Sequence, residues 1–231
     1  MDKTLKVAVF VKYKFYFEDI KTAAKDYEIL VEYFTSIDEF LKQSSIDKKS
    51  FKFLFFPHFS EIIPSEFLNM FKCIGFHTGN LPHDRGGSPI QNKIIKGEYK
   101  SKVSAILLSS EVDGGPIYCD REIDLEFGSI EQILRNISIL IAEMIIEIIT
   151  SNLNPTAQIG VASYANRISK DNSRIDFSDL SIKQIYDRIR MVDGLEYPRA
   201  FVEVKNCRIF MESSKLENNK VYFNGIIEKE Y

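Results

Sequence analysis

The chain has 231 residues, 45% hydrophobic and 27% charged, the proportions of an ordinary globular protein. A chain this long buries roughly 70% of its unfolded surface and needs no disulfide or metal staple. Thirty Lys+Arg against 33 Asp+Glu leave a formal charge of -3, so no net field recommends nucleic acid as a partner. The three cysteines, Cys73, Cys119 and Cys207, are odd in number and widely separated. They fit reduced thiols in a cytoplasmic compartment, and no CxxC spacing suggests structural zinc. The apolar run Val7 to Val11 is too short for a secretion signal, and Lys12 and Lys14 follow it at once.

In chain order, residues 5–11 (LKVAVFV) predict a buried strand opening an α/β fold. Ile29 to Phe34 gives a second, weaker strand, and Asp38 to Lys42 a short helix before the polar stretch 43–50. Phe51 to Phe56 (FKFLFF) is a strongly apolar strand running into Pro57. Pro64 opens a helix over 64–71, where its missing N–H costs nothing. Ile74 to Phe76 is another apolar piece, followed by the loop HTGNLPHDRGGSP over 77–89. Ile90 to Lys96 reads as a helix ended by Gly97 in a left-handed cap, and Lys102 to Leu108 as a strand. Asp113-Gly114-Gly115-Pro116 breaks the chain, and Ile117 to Leu125 alternates as a strand.

Ser129 and Gln132 have capping-box spacing for a long helix, Ile130 to Ile149, whose apolar residues recur every three and four positions. Glu143 and Glu147 make it a core helix, not a bilayer span. Residues 151–180 form a polar connector without periodicity. Ser181 and Gln184 cap a further helix with Gly194 beyond its end, and Ala200–Val204 with Arg208–Met211 alternate as a hairpin over Lys205-Asn206. The order of elements predicts an α/β domain ending near residue 150.

Two loops hold most of the informative polar residues: His77, Thr78, Asn80, His83, Asp84 and Arg85 in one, Glu111 and Asp113 in the other. Loops at the carboxyl ends of strands are where open α/β sheets bind ligands. Imidazole titrates near neutral pH and a carboxylate holds its charge, so a His and an Asp meeting there suit proton transfer. The same residues have plainer readings. His58 and His83 read as surface or hydrogen-bonding histidines, Asp113 before two glycines as a turn residue, and Arg85 as a partner of Asp84 or a helix cap. No G-x-G-x-x-G follows the first strand, where Lys12-Tyr13-Lys14-Phe15 stands instead. That excludes NAD or FAD bound in the usual way, and neither a P-loop nor a G-x-S-x-G elbow is present.

Residues 56–125 resemble the formyltransferases that use 10-formyltetrahydrofolate. The family loop N-x-H-x-S-L-L-P-x-x-R-G corresponds to Gly75-Phe76-His77-Thr78-Gly79-Asn80-Leu81-Pro82-His83-Asp84-Arg85-Gly86, and the later aspartate to Asp113-Gly114-Gly115-Pro116. Phe59-Ser60-Glu61-Ile62-Ile63-Pro64 resembles the segment lining the folate pocket. Tyr164 to Phe177, with Ile168-Ser169-Lys170 and Arg174-Ile175-Asp176-Phe177, resembles the connector after the catalytic domain, and Tyr186 to Ala200 the helix-and-turn of sugar-formylating members. The resemblance implies a Rossmann-like twisted sheet with flanking helices, in a catalytic domain over 1–165 followed by a connector and small helix-and-hairpin extension over 166–231. It also implies formyl transfer from the folate nitrogen to a primary amine, with His77 stabilising the oxyanion and Asp113 orienting His77 and helping take the amine proton. Phe59, Ile62, Ile63 and Asp113 would meet the folate.

The sequence departs from the family at Gly75, which stands where the family has asparagine and offers no side-chain donor. A lost oxyanion donor typically costs about 100- to 1000-fold in turnover. Asn80 in the same loop is the candidate replacement, its other reading being an ordinary turn asparagine. Family members acting on tRNA carry an added barrel domain, whereas 31 residues follow Ala200 here. The folate-hydrolysing relatives carry an amino-terminal domain ahead of the first strand.

The resemblance therefore implies a small acceptor, a nucleotide-linked amino sugar, with Arg85, Arg174, Arg188 and Arg190 as candidate phosphate partners. No nucleic acid, membrane or metal partner is expected, and the implied role is in cell-surface glycan synthesis. Two alternatives stay open: transfer to another small amine, and a folate- or sugar-binding protein that has lost the chemistry. Related sugar enzymes are commonly dimers, so both a homodimer using the hairpin near 200–211 and a monomer stay open.

Overall fold

The computed structural model describes residues 4–43, 47–59, 61–169, 173–195 and 197–229. Ser60, Lys170 and residues 44–46 of the polar stretch lie outside the described residues. The elements run β1 (Leu5–Phe10), α1 (Lys14–Ala23), β2 (Ile29–Phe34), α2 (Ile37–Lys42), β3 (Phe51–Phe56), α3 (Ser65–Met70), β4 (Cys73–His77), β5 (Arg85–Gly86) and α4 (Pro89–Lys96). They continue with β6 (Lys100–Leu107), β7 (Ile117–Asp124), α5 (Ile130–Thr150), β8 (Tyr164–Ala165), α6 (Ile182–Arg190), β9 (Ala200–Val204), β10 (Cys207–Glu217) and β11 (Lys220–Lys229). A six-stranded sheet has the order β2-β1-β3-β4-β6-β7. Strands β1 to β4 pair in parallel, and β6 runs antiparallel to β4. This is the mostly parallel α/β sheet expected from the run of apolar strands.

Two compact units can be distinguished: residues 1–85, 102–122 and 135–163, and residues 86–101, 123–134 and 164–231. In the first, the period of two along each strand divides the core between two faces. Ala8, Phe10, Leu54 and Phe56 share one face with Phe34, Phe40 and Phe67. There the rings of Phe10 and Phe56 stack with centroids 4.5 Å apart. Val7, Val9 and Val11, all fully buried, point to the other face. Each such side chain contributes roughly 1.5–3 kcal/mol through burial, which is why FKFLFF needs no polar partner. Helix α1 occupies a stretch in which the sequence reading places no element. Its buried stripe consists of Tyr16 and Ile20 alone, and its N-cap, Tyr13, makes no side-chain cap, so little periodicity betrays it.

In the second unit α6 carries the expected capping box: the Ser181 hydroxyl accepts from the Gln184 N–H, and the Gln184 side chain accepts from the Ser181 N–H. A three-stranded antiparallel sheet has the order β11-β10-β9. It contains the hairpin over Lys205-Asn206 and extends it by the rest of β10 and all of β11. The added turn is Asn218-Asn219, both left-handed, with φ of 49° and 56°. Asparagine tolerates that region, and such pairs make tight hairpin turns. The register shift between Glu212 and Lys215 breaks the alternation that would have shown β10 as one strand. Among the described residues, no helix is long and apolar enough to cross a membrane.

Candidate functional site

His77 is the last residue of β4, so its side chain stands at the carboxyl edge of the sheet. It is 6% exposed. Its Nδ1 lies 3.2 Å from Asp113 Oδ2 and its Nε2 2.8 Å from the Asp84 carbonyl oxygen. The two residues the sequence singles out, 36 positions apart, are therefore neighbours. A carbonyl only accepts, so Nε2 bears a proton and donates it to Asp84; Nδ1 and the Asp113 carboxylate then share whatever proton lies between them.

The loop that presents the Asp84 carbonyl is pinned to the segment near Ser163. Arg85 N–H donates to the Ser163 carbonyl at 2.9 Å, and Asp84 N–H to the Ser163 hydroxyl at 3.2 Å. The Asp84 carboxylate also accepts from the Asn80 backbone N–H at 3.3 Å. Asn80 is half-buried, and its carboxamide makes no hydrogen bond to His77 or Asp113.

Asp113 sits in the left-handed region, φ 50°, a conformation that surroundings must enforce on a residue with a side chain. The Gly-Gly pair that follows has a steric cause. A Cβ on Gly115 would lie 1.7 Å from the Leu107 carbonyl oxygen, so only glycine lets the loop fold back on β6. The loop is also held from a distance. Gln158 Nε2 donates to the Asp113 carbonyl at 2.7 Å and to the Gly115 carbonyl at 2.8 Å. Arg85 Nη2 donates to Gln158 Oε1 at 2.8 Å, and Arg85 Nη1 to Glu111 Oε1 at 2.6 Å. Gln158 escapes the sequence reading because the connector over 151–180 has no periodicity. Near Gln158 the regular feature is a bridge between Thr156 and Ile117, invisible in one dimension.

Gly75 also has a steric explanation. It lies buried in β4 between Phe56 and Ile106, and a Cβ there would come 2.6 Å from Leu108 Cδ2. Leu108, just past the end of β6, fills the space that a side chain at 75 would enter. Leu108, Phe59 and Ile63 all pack against the cluster of Phe10, Leu54 and Phe56, whereas Ile62 is 94% exposed.

The arginines are placed otherwise than the phosphate-binding expectation has them. Arg85 is 5% exposed and committed to Glu111 and Gln158. Arg190 is 1% exposed; its Nε donates to Asp187 Oδ1 at 2.6 Å and its Nη groups to the carbonyls of Leu125 and Gly128. A buried guanidinium so saturated is a structural ion pair. Tyr99 joins it by donating to Asp187 at 2.6 Å; burial, then this bond, pushes the phenol up to about 12. Arg174 is exposed and pairs with Glu203 at 3.2 Å. With Arg188, Asp176, Asp179 and Leu180 it lines an open depression of about 270 Å³, where two carboxylates balance the two cations.

Residues 20–137 match the family model described as formyl transferase, and residues 170–224 the one described as methionyl-tRNA formyltransferase, C-terminal domain. A methionyl-tRNA formyltransferase of Thermodesulfovibrio yellowstonii is 30% identical over 169 residues, 70% of this chain and 54% of the relative. The chain thus spans about half the length of that relative. Among solved structures, a methionyl-tRNA formyltransferase from Clostridium thermocellum superposes with a TM-score of 0.89 at 32% identity, covering 97% of this chain and 99% of that one. HypX from Aquifex aeolicus in complex with tetrahydrofolic acid has a TM-score of 0.73 at 17% identity, covering 92% of this chain and 38% of that one. A 4-N formyltransferase from Francisella tularensis has a TM-score of 0.68 at 18% identity, covering 99% of each chain. The last two likenesses, at such identity, speak to fold alone.

Proposed function

The chain belongs to the formyl transferase family, and on that footing we propose that it moves a formyl group from 10-formyltetrahydrofolate to a primary amine. The observation that carries the reading is the His77 ring held between the Asp113 carboxylate and the Asp84 carbonyl. An ammonium group cannot attack a formyl carbon, so a base must first take its proton; Asp113, directly or through water, is that base. Attack puts negative charge on the formyl oxygen. The Nε2–H of His77, given in this structure to a neutral carbonyl, transfers to that oxyanion as the stronger, charge-assisted acceptor. Collapse of the tetrahedral adduct breaks the bond to the folate nitrogen, which leaves with the proton Asp113 took from the amine, while the adduct's second amine proton passes to solvent. Phe59, Ile62 and Ile63 are assigned to the donor's ring system; Phe59 and Ile63 are partly buried, and the exposed Ile62 has the most apolar surface left to cover.

Two acceptors have separate support. The relatives named above point to methionyl-tRNA, which runs against the expectation of no nucleic-acid partner. The charge pattern points to a small acceptor, a nucleotide-linked amino sugar: from 170 to 231 basic and acidic side chains balance, and Arg174 and Arg190 are paired with carboxylates. A phosphate backbone calls for an uncompensated basic face. Incubation with 10-formyltetrahydrofolate and a panel of methionyl-tRNA, 3-amino and 4-amino nucleotide sugars and simple amines, following tetrahydrofolate release, separates them. Turnover on one acceptor identifies it; saturable folate binding without turnover on any member makes the protein a binder that has lost the chemistry.

A further inference from the structure

We infer that Gln158, seated by Arg85, is a positioning residue that aims the Asp113 carboxylate at His77. The inference deepens the formyl-transfer reading and rests on it for its consequence, though not for its geometry. Asp113 is held in a left-handed conformation on a loop of glycines, which by themselves leave the chain free to take many shapes. Three parts of that loop are captured by two side chains from elsewhere in the sequence. The Gln158 carboxamide donates both its protons, one to the Asp113 carbonyl and one to the Gly115 carbonyl, straddling the residue on either side of Gly114. Its oxygen faces Arg85, which donates through Nε at 3.2 Å and Nη2 at 2.8 Å. Arg85 also reaches Glu111 with Nη1, fixing the loop two residues before Asp113.

A carboxamide is the side chain this arrangement calls for. It must accept from a cation on one end and donate twice on the other; a carboxylate could do only the first, and an amine only the second. The orientation follows from the guanidinium, since Arg can only donate and so turns the Gln158 oxygen toward itself and the two N–H groups toward the loop. Both side chains hold the loop that carries Asp113, so the role assigned to them acts on the reaction through Asp113.

The test is a double-mutant cycle on the full chain, with the acceptor on which the wild type turns over. Gln158→Leu should lower kcat by about 100-fold, the scale of a misplaced reacting group, with KM for the formyl donor little changed. In an Asp113→Ala background the same change should cost almost nothing further. Equal losses in both backgrounds, or a kcat untouched by Gln158→Leu, would overturn the inference. Gln158→Glu, which still meets Arg85 but cannot donate to the two carbonyls, should resemble Gln158→Leu; a normal kcat would place the effect in the arginine contact and overturn the role given to the donors. A second readout needs no turnover. By NMR, Asp113→Ala should displace the ring resonances of His77, and Gln158→Leu should displace them in the same direction. Wild-type His77 resonances in Gln158→Leu overturn the positioning role even in a protein that formylates nothing on the panel. Conversely, displaced resonances together with an inactive wild type keep the geometry and discard the activity.

Discussion

At His77 two oxygens of different character compete for one ring. The Asp84 carbonyl takes the Nε2 proton and Asp113 faces Nδ1. His77→Ala and Asp113→Ala should each reduce formyl transfer by 100-fold or more, on the scale of about 10²–10⁴ for a lost acid–base group, while circular dichroism shows the fold retained. A few residues back, the missing carboxamide has a packing cause. Leu108 occupies the space above Gly75, so Gly75→Asn should be destabilising alone and tolerated together with Leu108→Ala. Comparing melting temperatures of the single and double variants checks this. A rise in kcat of the double variant would show that an oxyanion donor can be restored there. Asn80→Ala tests the alternative donor: unchanged turnover would remove Asn80 from the reaction.

The elements beneath these residues differ in what holds them. Strands β1 and β3 are secured by aromatic packing that is insensitive to detail, whereas α6 depends on particular polar contacts. Its Arg190 and Asp187 are both almost fully buried. Arg190→Met should therefore destabilise, but by less than the roughly 3–5 kcal/mol of a wholly unpaired buried charge, because Asp187 still accepts from Lys183 at 2.9 Å and from Tyr99 at 2.6 Å. Urea denaturation measures it, and adding Asp187→Leu should recover part of the loss. Ser181→Ala, which removes one half of the capping box, should cost about 1 kcal/mol. The long helix α5 was legible because its apolar residues repeat over 21 positions; α1, with two buried side chains, was not.

For the whole molecule, one group sets a pH dependence. His58 follows β3 and lies against the rings of Tyr13 and Tyr16. Burial, and secondarily the charge of Lys12, lowers its pKa from 6.5 to about 4. Unfolding restores the ordinary value, so the unfolded chain binds a proton between those pH values that the folded protein refuses. Stability from this residue is complete above pH 6.5 and is lost as pH falls toward 4, on the order of 3 kcal/mol in all. His58→Asn, which tolerates the left-handed backbone at φ 49°, should flatten that limb of the stability curve measured by denaturation across pH 4–7.

What one dimension determined here is whatever repeats or stands alone in type. The apolar runs gave away the sheet strands, the three-and-four spacing the core helix, and two glycine-rich loops an imidazole and a carboxylate that the fold brings within 3.2 Å. What only the folded chain decided is which polar groups answer one another across long stretches of sequence. Arg85 could be read as a phosphate ligand until its guanidinium was seen spent on Glu111 and Gln158. Gln158 carried no signal at all until the connector doubled back on the Asp113 loop. The reason is physical: burial of apolar surface depends on pattern and survives many arrangements, while a hydrogen bond depends on a few tenths of an ångström that only the assembled backbone supplies.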